Sequence, residues 1–182
     1  MPESASELML WADVSVGSFG DSSFAGYAAV FKQAGSWVWM VGRRVAPRQS
    51  ANSTELRAIE LGLNFALQMI TGDNMDVGKL QVVEVFTDSP YPAQELVELQ
   101  VLFLRGKMLR QRFKSNPEFF GLLQTVAHRT QSLERAGVQV ELHWVPRNKA
   151  EGNIVVDKAA GVARLAKSLT SSDQVARLGP QS

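Results

Sequence analysis

The stretch from Leu8 to Val16 narrows the possible folds more than any other part of the chain. Successive residues of a strand point to opposite faces, so Leu8, Leu10, Ala12 and Val14 share one face and Met9, Trp11 and Asp13 the other. Both faces are mostly apolar. Such a strand needs cover on both sides, which places it in the middle of a sheet with further elements packed above and below. The chain can supply that cover, because 182 residues fit one domain and an apolar content of 45% supports a core. Asp13 is then a carboxylate inside a strand that should be buried, and burial of a lone charge is costly.

More strands should follow. Gly17 to Ser23 is a turn-rich loop. Phe24–Lys32 and Ser36–Arg43 read as strands, and Gln33-Ala34-Gly35 is short enough to join them as a hairpin. Arg44–Ser50 is a further strand candidate, interrupted by Pro47. Gly26 and Gly42 mark bulges or close approaches. Trp37 and Trp39 suggest a sheet face under a helix, or a hydrophobic contact surface.

Asn52–Ile70 is the clearest helix. Ile59, Leu63, Ala66 and Ile70 recur at helical spacing, with Leu56 and Leu67 beside them. Asn52 reads as its cap, with Glu55 three residues later as the reciprocal partner. The valine-rich Leu80–Asp88 reads as a strand and Pro92–Gly106 as a helix. Another helix starts at Asn116-Pro117 and stops near Gly137, and Phe113, Phe119 and Phe120 should anchor this region to the core. Val138–Val145 alternates as a strand, Pro146–Asn153 is a loop, and Val155–Leu169 forms the last helix. A hairpin start followed by alternating helices and strands predicts an α/β domain with a five-stranded mixed sheet flanked by helices. The domain should span residues 8–169, with 1–7 and 170–182 flexible.

Composition removes several classes of function. No cysteine is present, which excludes disulfides, thiolate zinc sites and a cysteine nucleophile. The formal charge is +1, so any grip on nucleic acid must come from a local patch. Arg105, Lys107, Arg110, Arg112 and Lys114 form such a run with no acid between them; it reads as a solvated helix face or as a surface that tracks phosphates. The polar, acidic start at Met1–Glu7 lacks the basic and apolar parts of a secretion signal, and no apolar run is long enough to span a membrane. A soluble protein of the cytoplasm, or otherwise intracellular, is expected.

Four acids sit where solubility does not call for them. Asp13 interrupts an apolar strand. Glu55 lies on the stripe that carries Ile59 and Leu63. Asp88 ends a strand with a buried pattern, and Asp157 opens a helix after a loop. Strand ends and helix starts beside a sheet are where α/β folds collect ligand sites. Clustered carboxylates call for a cation, and hard divalent ions prefer oxygen ligands. Taken singly, Asp88 can be a turn residue, Glu55 the partner of a cap, and Asp157 a charge facing the helix dipole.

The motifs resemble the ribonuclease H family, type 1, in its small single-domain form. The strand with Asp13, followed by Gly26-Tyr27-Ala28-Ala29-Val30, is similar to that family's opening hairpin. Asn52-Ser53-Thr54-Glu55-Leu56-Arg57-Ala58 resembles its first-helix motif, and Phe86-Thr87-Asp88-Ser89-Pro90-Tyr91 its most recognisable segment. Trp144-Val145-Pro146-Arg147, then Asn153 and Asp157, resembles the last motif. The resemblance runs from about residue 8 to residue 168. It implies two divalent ions, magnesium or manganese, with substrate bound. Asp13 and Asp88 would hold or bridge both, and Glu55 and Asp157 would complete the coordination. It also implies cleavage of the RNA strand of RNA/DNA hybrids, leaving 5′-phosphate and 3′-hydroxyl ends.

Asn52 and Ser89 are then candidates for substrate contact, and the run from Arg105 to Lys114 for phosphate contact. Two departures stand out. The loop Pro146–Gly152 has no histidine, where many family members carry one. Arg147 is left there as a candidate for contact with phosphate or product, but it stays charged and cannot shuttle a proton. His143 lies on the preceding strand and reads as a sheet residue, and His128 as structural or solvated. Val14 stands where the family usually has glycine after the first aspartate. These departures keep open an inactive nucleic-acid-binding or structural module on the same fold, and a related nuclease acting on DNA.

Overall fold

A computed structural model describes residues 7–19, 22–46, 50–72, 80–89, 116–166 and 174–181. Strand β1 (Glu7–Phe19) pairs antiparallel with β2 (Ser22–Gln33), and β2 with β3 (Ser36–Ala46). The turn at Ala34 and Gly35 closes the second hairpin with both residues at positive φ. Of the stretch Arg44–Ser50, expected as a further strand, Arg44 to Ala46 continue β3, and 47–49 lie outside the described residues. Helix α1 (Ala51–Thr71) leads to β4 (Val82–Thr87), which pairs parallel with β1. Helix α2 (Pro117–Arg135) leads to β5 (Gln139–Trp144), parallel to β4, and α3 (Glu151–Leu165) follows. The expected helix at Pro92–Gly106 and the cationic run Arg105–Lys114 lie outside the described residues.

The five expected strands make a mixed sheet, and a sixth joins it. The order is β5-β4-β1-β2-β3-β6, with β6 (Gln174–Gln181) antiparallel to β3. Residues 174–181, expected to lie in a tail, form this edge strand. The residues of β6 have no clear alternating pattern; what fixes them is the open hydrogen-bonding edge of β3. The register slips between Trp37 and Trp39, opposite Gly179 and Pro180. Proline is tolerated there because β6 is itself an edge strand.

As its two apolar faces imply, β1 lies inside the sheet. Leu8, Leu10 and Ala12 meet the main core with Leu56, Ile59 and Leu63 of α1 and Phe119, Leu123 and Val126 of α2. The other face of the sheet meets α3 through Ala28, Val30, Trp39 and Val41 packed on Val156, Ala159, Ala160 and Ala163. Trp39 is thus a sheet residue under a helix, with Trp37 partly buried beside it. Phe119 is fully buried and Phe120 packs against the same core.

The small residues on both sides bring α3 close to the sheet. A Cβ on Gly26 would lie 2.1 Å from the Ala160 carbonyl oxygen, and one on Gly152 would lie 2.1 Å from the Trp11 ring. Gly26 is therefore a close approach, not a bulge. Both ends of α3 are also tied down. Glu151 accepts from Trp37 Nε1 at 3.1 Å, and buried Arg43 donates to the Arg164 carbonyl oxygen at 2.8 Å. The helix begins at Glu151, four residues before the expected start, with Asn153 already inside it. No described helix is long and apolar enough to cross a membrane.

Candidate metal centre

Three of the four acids meet where β1 and β4 part. The last pair of their ladder is Ala12 with Thr87, so Asp13 and Asp88 are the next residues on two neighbouring parallel strands. Glu55 reaches the same point from the first turns of α1. One carboxylate oxygen from each of Asp13, Glu55 and Asp88 lies within 4.8 Å of the others. They line a cleft of about 230 Å³ together with Val14, Ala51, Ser89 and Arg147.

The cap of α1 corrects one expectation. Ser50 is the cap, and its hydroxyl accepts from the Ser53 N–H at 3.4 Å. Asn52 lies within the first turn and is not among the walls of the cleft. Glu55 is therefore not the reciprocal partner of an Asn52 cap. It accepts a hydrogen bond from the Thr87 hydroxyl, and both residues are buried. The stripe of α1 that gains about 1.5–3 kcal/mol for each buried leucine or isoleucine also carries a carboxylate, whose burial in charged form costs more than one such gain.

That cost appears in the proton affinities. Burial pushes the Glu55 carboxyl up to about 8 against the lowering effect of the Thr87 hydrogen bond, and Asp13 and Asp88 raise it further. Burial likewise pushes Asp13 up to about 7. The Val14 N–H, which donates to Asp13 Oδ1 at 2.7 Å, acts in the other direction, and the charges of Asp88 and Asp157 add to the rise. The Arg147 charge lowers both. Carboxylates crowded to this degree are an all-oxygen donor set of the kind a hard divalent cation neutralises, so the residues fit magnesium or manganese.

Asp157 stands apart from the three. It lies exposed in the second turn of α3 and outside the group of converging oxygens, though close enough for its charge to act on Asp13. Ser89 lines the cleft, and its N–H donates to the Thr87 hydroxyl at 3.1 Å. Arg147 donates from Nε to Asp88 Oδ2 at 2.8 Å. Trp144 donates from Nε1 to the Asp88 carbonyl oxygen at 3.0 Å and holds the strand end against β5.

Sequence reasoning missed two of these roles. Thr87 shares the parity of buried Val83 and Val85, which was the available signal that its hydroxyl faces α1. Nothing in the sequence pairs Arg147 with Asp88. The histidines are as expected: His128 is exposed on α2, and His143 sits on β5. His143 stacks on Phe86 and lies between Glu84 and Glu141, with Nε2 at 3.1 Å from each.

The residues from 5 to 164 match the model of the RNase H family. The chain belongs to the RNase H family. No curated protein sequence matches it. Solved RNase H structures share the fold. The N-terminal RNase H domain of Rv2228c from Mycobacterium tuberculosis, solved as a fusion with maltose-binding protein, is 23% identical with a TM-score of 0.53. That match covers 86% of this chain and 94% of that one. LC11-RNase H1, isolated from compost by a metagenomic approach, is 19% identical with a TM-score of 0.58, over 91% of this chain and 99% of that one. A structure of LC11-RNase H1 in complex with an RNA/DNA hybrid is 21% identical with a TM-score of 0.57, over 90% and 99%. The RNase H family resemblance read from the motifs is thus borne out, as is the mixed sheet flanked by helices.

Proposed function

We propose that this RNase H family member is a divalent-metal-dependent endonuclease that hydrolyses the RNA strand of RNA/DNA hybrids, leaving 5′-phosphate and 3′-hydroxyl ends. The observation that carries the reading is the convergence of Asp13, Glu55 and Asp88 in one cleft. Membership of the RNase H family supports it, and so does a relative of the same fold solved with a hybrid.

Asp13, Glu55 and Asp88 would hold the metal, and Asp157 would complete the set from α3. Two magnesium or manganese ions held there would supply Lewis-acid activation of water and charge stabilisation at the departing 3′-oxygen. The chain's own part is to fix the acceptors. Thr87 orients Glu55 by its hydrogen bond, the Val14 N–H orients Asp13, and Trp144 pins the backbone at Asp88. Ser89 offers its hydroxyl beside the scissile strand. Asn52, one residue past the cleft wall, contacts the minor groove, where the 2′-hydroxyl distinguishes RNA from DNA. The five cations from Arg105 to Lys114 track the phosphates, and Arg147 adds a charge at the cleft itself.

The test is hydrolysis of a labelled hybrid by the wild type and by Asp88→Asn, each with magnesium, manganese or chelator, with duplex DNA as control. The wild type should cut the RNA strand only with metal, and Asp88→Asn should be nearly inactive. A folded wild type that cuts nothing with either ion would make the chain an inactive binding module. Cleavage of duplex DNA in preference to the hybrid would make it a DNA nuclease of the same fold.

A further inference from the structure

The carboxylate cleft contains a cation supplied by the chain. Arg147 stands in the turn between β5 and α3, one residue before Asn148, which takes a left-handed conformation at φ 57°. Its guanidinium meets Asp88 Oδ2 at 2.8 Å. The two side chains are unequal: that of Asp88 is 8% exposed and that of Arg147 72%. The acid is fixed by the fold, and the arginine reaches it from solvent on a flexible stem. Asp88 is the one ion-pair partner of Arg147 among the described residues. Its charge also acts on Asp13 and Glu55, so it bears on all three converging acids.

Asp88 Oδ2 is thereby engaged by a cation that itself lines the cleft. A divalent ion among the same oxygens meets a permanent positive charge next to its ligands, and like charges at such range repel. We propose that Arg147 is an internal counter-cation that competes with divalent metal for the Asp13, Glu55 and Asp88 cluster. The Arg147–Asp88 ion pair then sets the metal concentration at which the site fills. The inference rests on the reading of that cluster as a metal site. It differs from a plain phosphate grip, because the guanidinium must leave Asp88 as the metal enters, and the coupling is reciprocal.

The test is calorimetric titration of manganese into the full chain, wild type against Arg147→Ala and Arg147→Lys, at one pH and ionic strength. Arg147→Ala should bind manganese about 10-fold more tightly, a factor that corresponds to about 1.4 kcal/mol. Arg147→Lys, which keeps the charge, should fall between them. Thermal unfolding supplies a second readout. Arg147→Ala should melt below the wild type in chelator, and the gap should close in saturating manganese, because the metal takes over the neutralising role. Equal or weaker manganese binding by Arg147→Ala, or a gap in melting temperature that persists in metal, overturns the inference. Titration of Asp88→Asn separates it from the broader reading. If the wild type binds manganese no better than Asp88→Asn, the metal site itself fails and the inference fails with it. If the wild type binds and Arg147→Ala binds no tighter, the inference alone fails.

Discussion

The Thr87 hydroxyl donates to the Glu55 carboxylate at the buried junction of β4 and α1. A hydroxyl has one proton to give, and here it goes to the acid, while the oxygen accepts the Ser89 N–H at 3.1 Å. One side chain therefore fixes both a candidate metal ligand and the backbone just after Asp88. Thr87→Val keeps the shape and removes the link. It leaves a buried carboxyl and a backbone N–H without their partner, so it should cost about 1–3 kcal/mol of stability. It also removes the effect that holds the Glu55 proton affinity down, so metal binding at neutral pH should weaken. Thr87→Ser, which keeps the hydroxyl, should recover most of both losses. Denaturant melts and manganese titrations of the two variants decide it; a Thr87→Val protein that binds manganese like the wild type would reduce Thr87 to a packing residue.

The raised acids fix the direction of the pH response. Glu55 and Asp13 have folded-state values of about 8 and about 7, above the ordinary carboxylate range. The folded protein therefore holds protons that the unfolded chain has released. Their contribution to stability is complete below about pH 4 and is lost as pH rises through the folded values. In chelator, stability should decline between about pH 4 and pH 8 and then level off. Magnesium should reverse the decline, and its binding at pH 7 should release protons, since ligands must be deprotonated to bind. Melts across pH with and without magnesium test the first statement. Titrations in buffers of different ionisation enthalpy test the second. Stability in chelator that rises steadily from pH 5 to pH 8 would contradict the assigned burial of these acids.

Asp88 and Asp157 should differ in weight. Asp88 belongs to the converging group, whereas Asp157 is exposed on α3 and touches it only through its field on Asp13. Asp88→Asn should abolish measurable hydrolysis of a hybrid. Asp157→Asn should lower it less, by about 10- to 100-fold, because Asp157 joins the set from outside the converging oxygens. Rates for both at saturating magnesium settle the order. Asp157→Asn as inactive as Asp88→Asn would place Asp157 among the groups the reaction needs most.

Asp13 was legible because polarity inside a strand apolar on both faces is hard to explain otherwise. Asp88 was legible because a valine run ended on it. These signals depend on one strand at a time. The Ser50 cap was not legible, since Asn52 offers an equally good local signature and only the path of the chain into α1 decides between them. β6 was hidden because its sequence carries no clear alternating pattern, while its register follows the edge of β3. The Arg147–Asp88 pair joins residues 59 positions apart through a turn whose shape rests on Asn148 at positive φ, and neighbouring side chains carry no trace of it.

Gly26 offers the sharpest test of how the fold serves the site. Asp157 is placed by α3, and α3 rests on β2 where Gly26 lies beneath Ala160 and Arg164. A Cβ there would stand 2.1 Å from the Ala160 carbonyl oxygen and 2.3 Å from the Arg164 backbone nitrogen. Backbone atoms cannot swing aside as a side chain can, so Gly26→Ala must lift the helix or bend the strand. Overpacking of this kind costs about 1–3 kcal/mol or more. Because Glu151 and Arg43 hold the two ends of α3, the shift should fall on its middle, which carries Asp157. Gly26→Ala should therefore lose both stability and hybrid cleavage, while manganese binding by the Asp13, Glu55 and Asp88 group, which rests on other elements, should change little. Melting temperature, manganese titration and cleavage rate on the same sample separate these effects. Manganese binding lost in proportion to activity, in a protein that remains folded, would mean that α3 supports the whole cluster and not Asp157 alone.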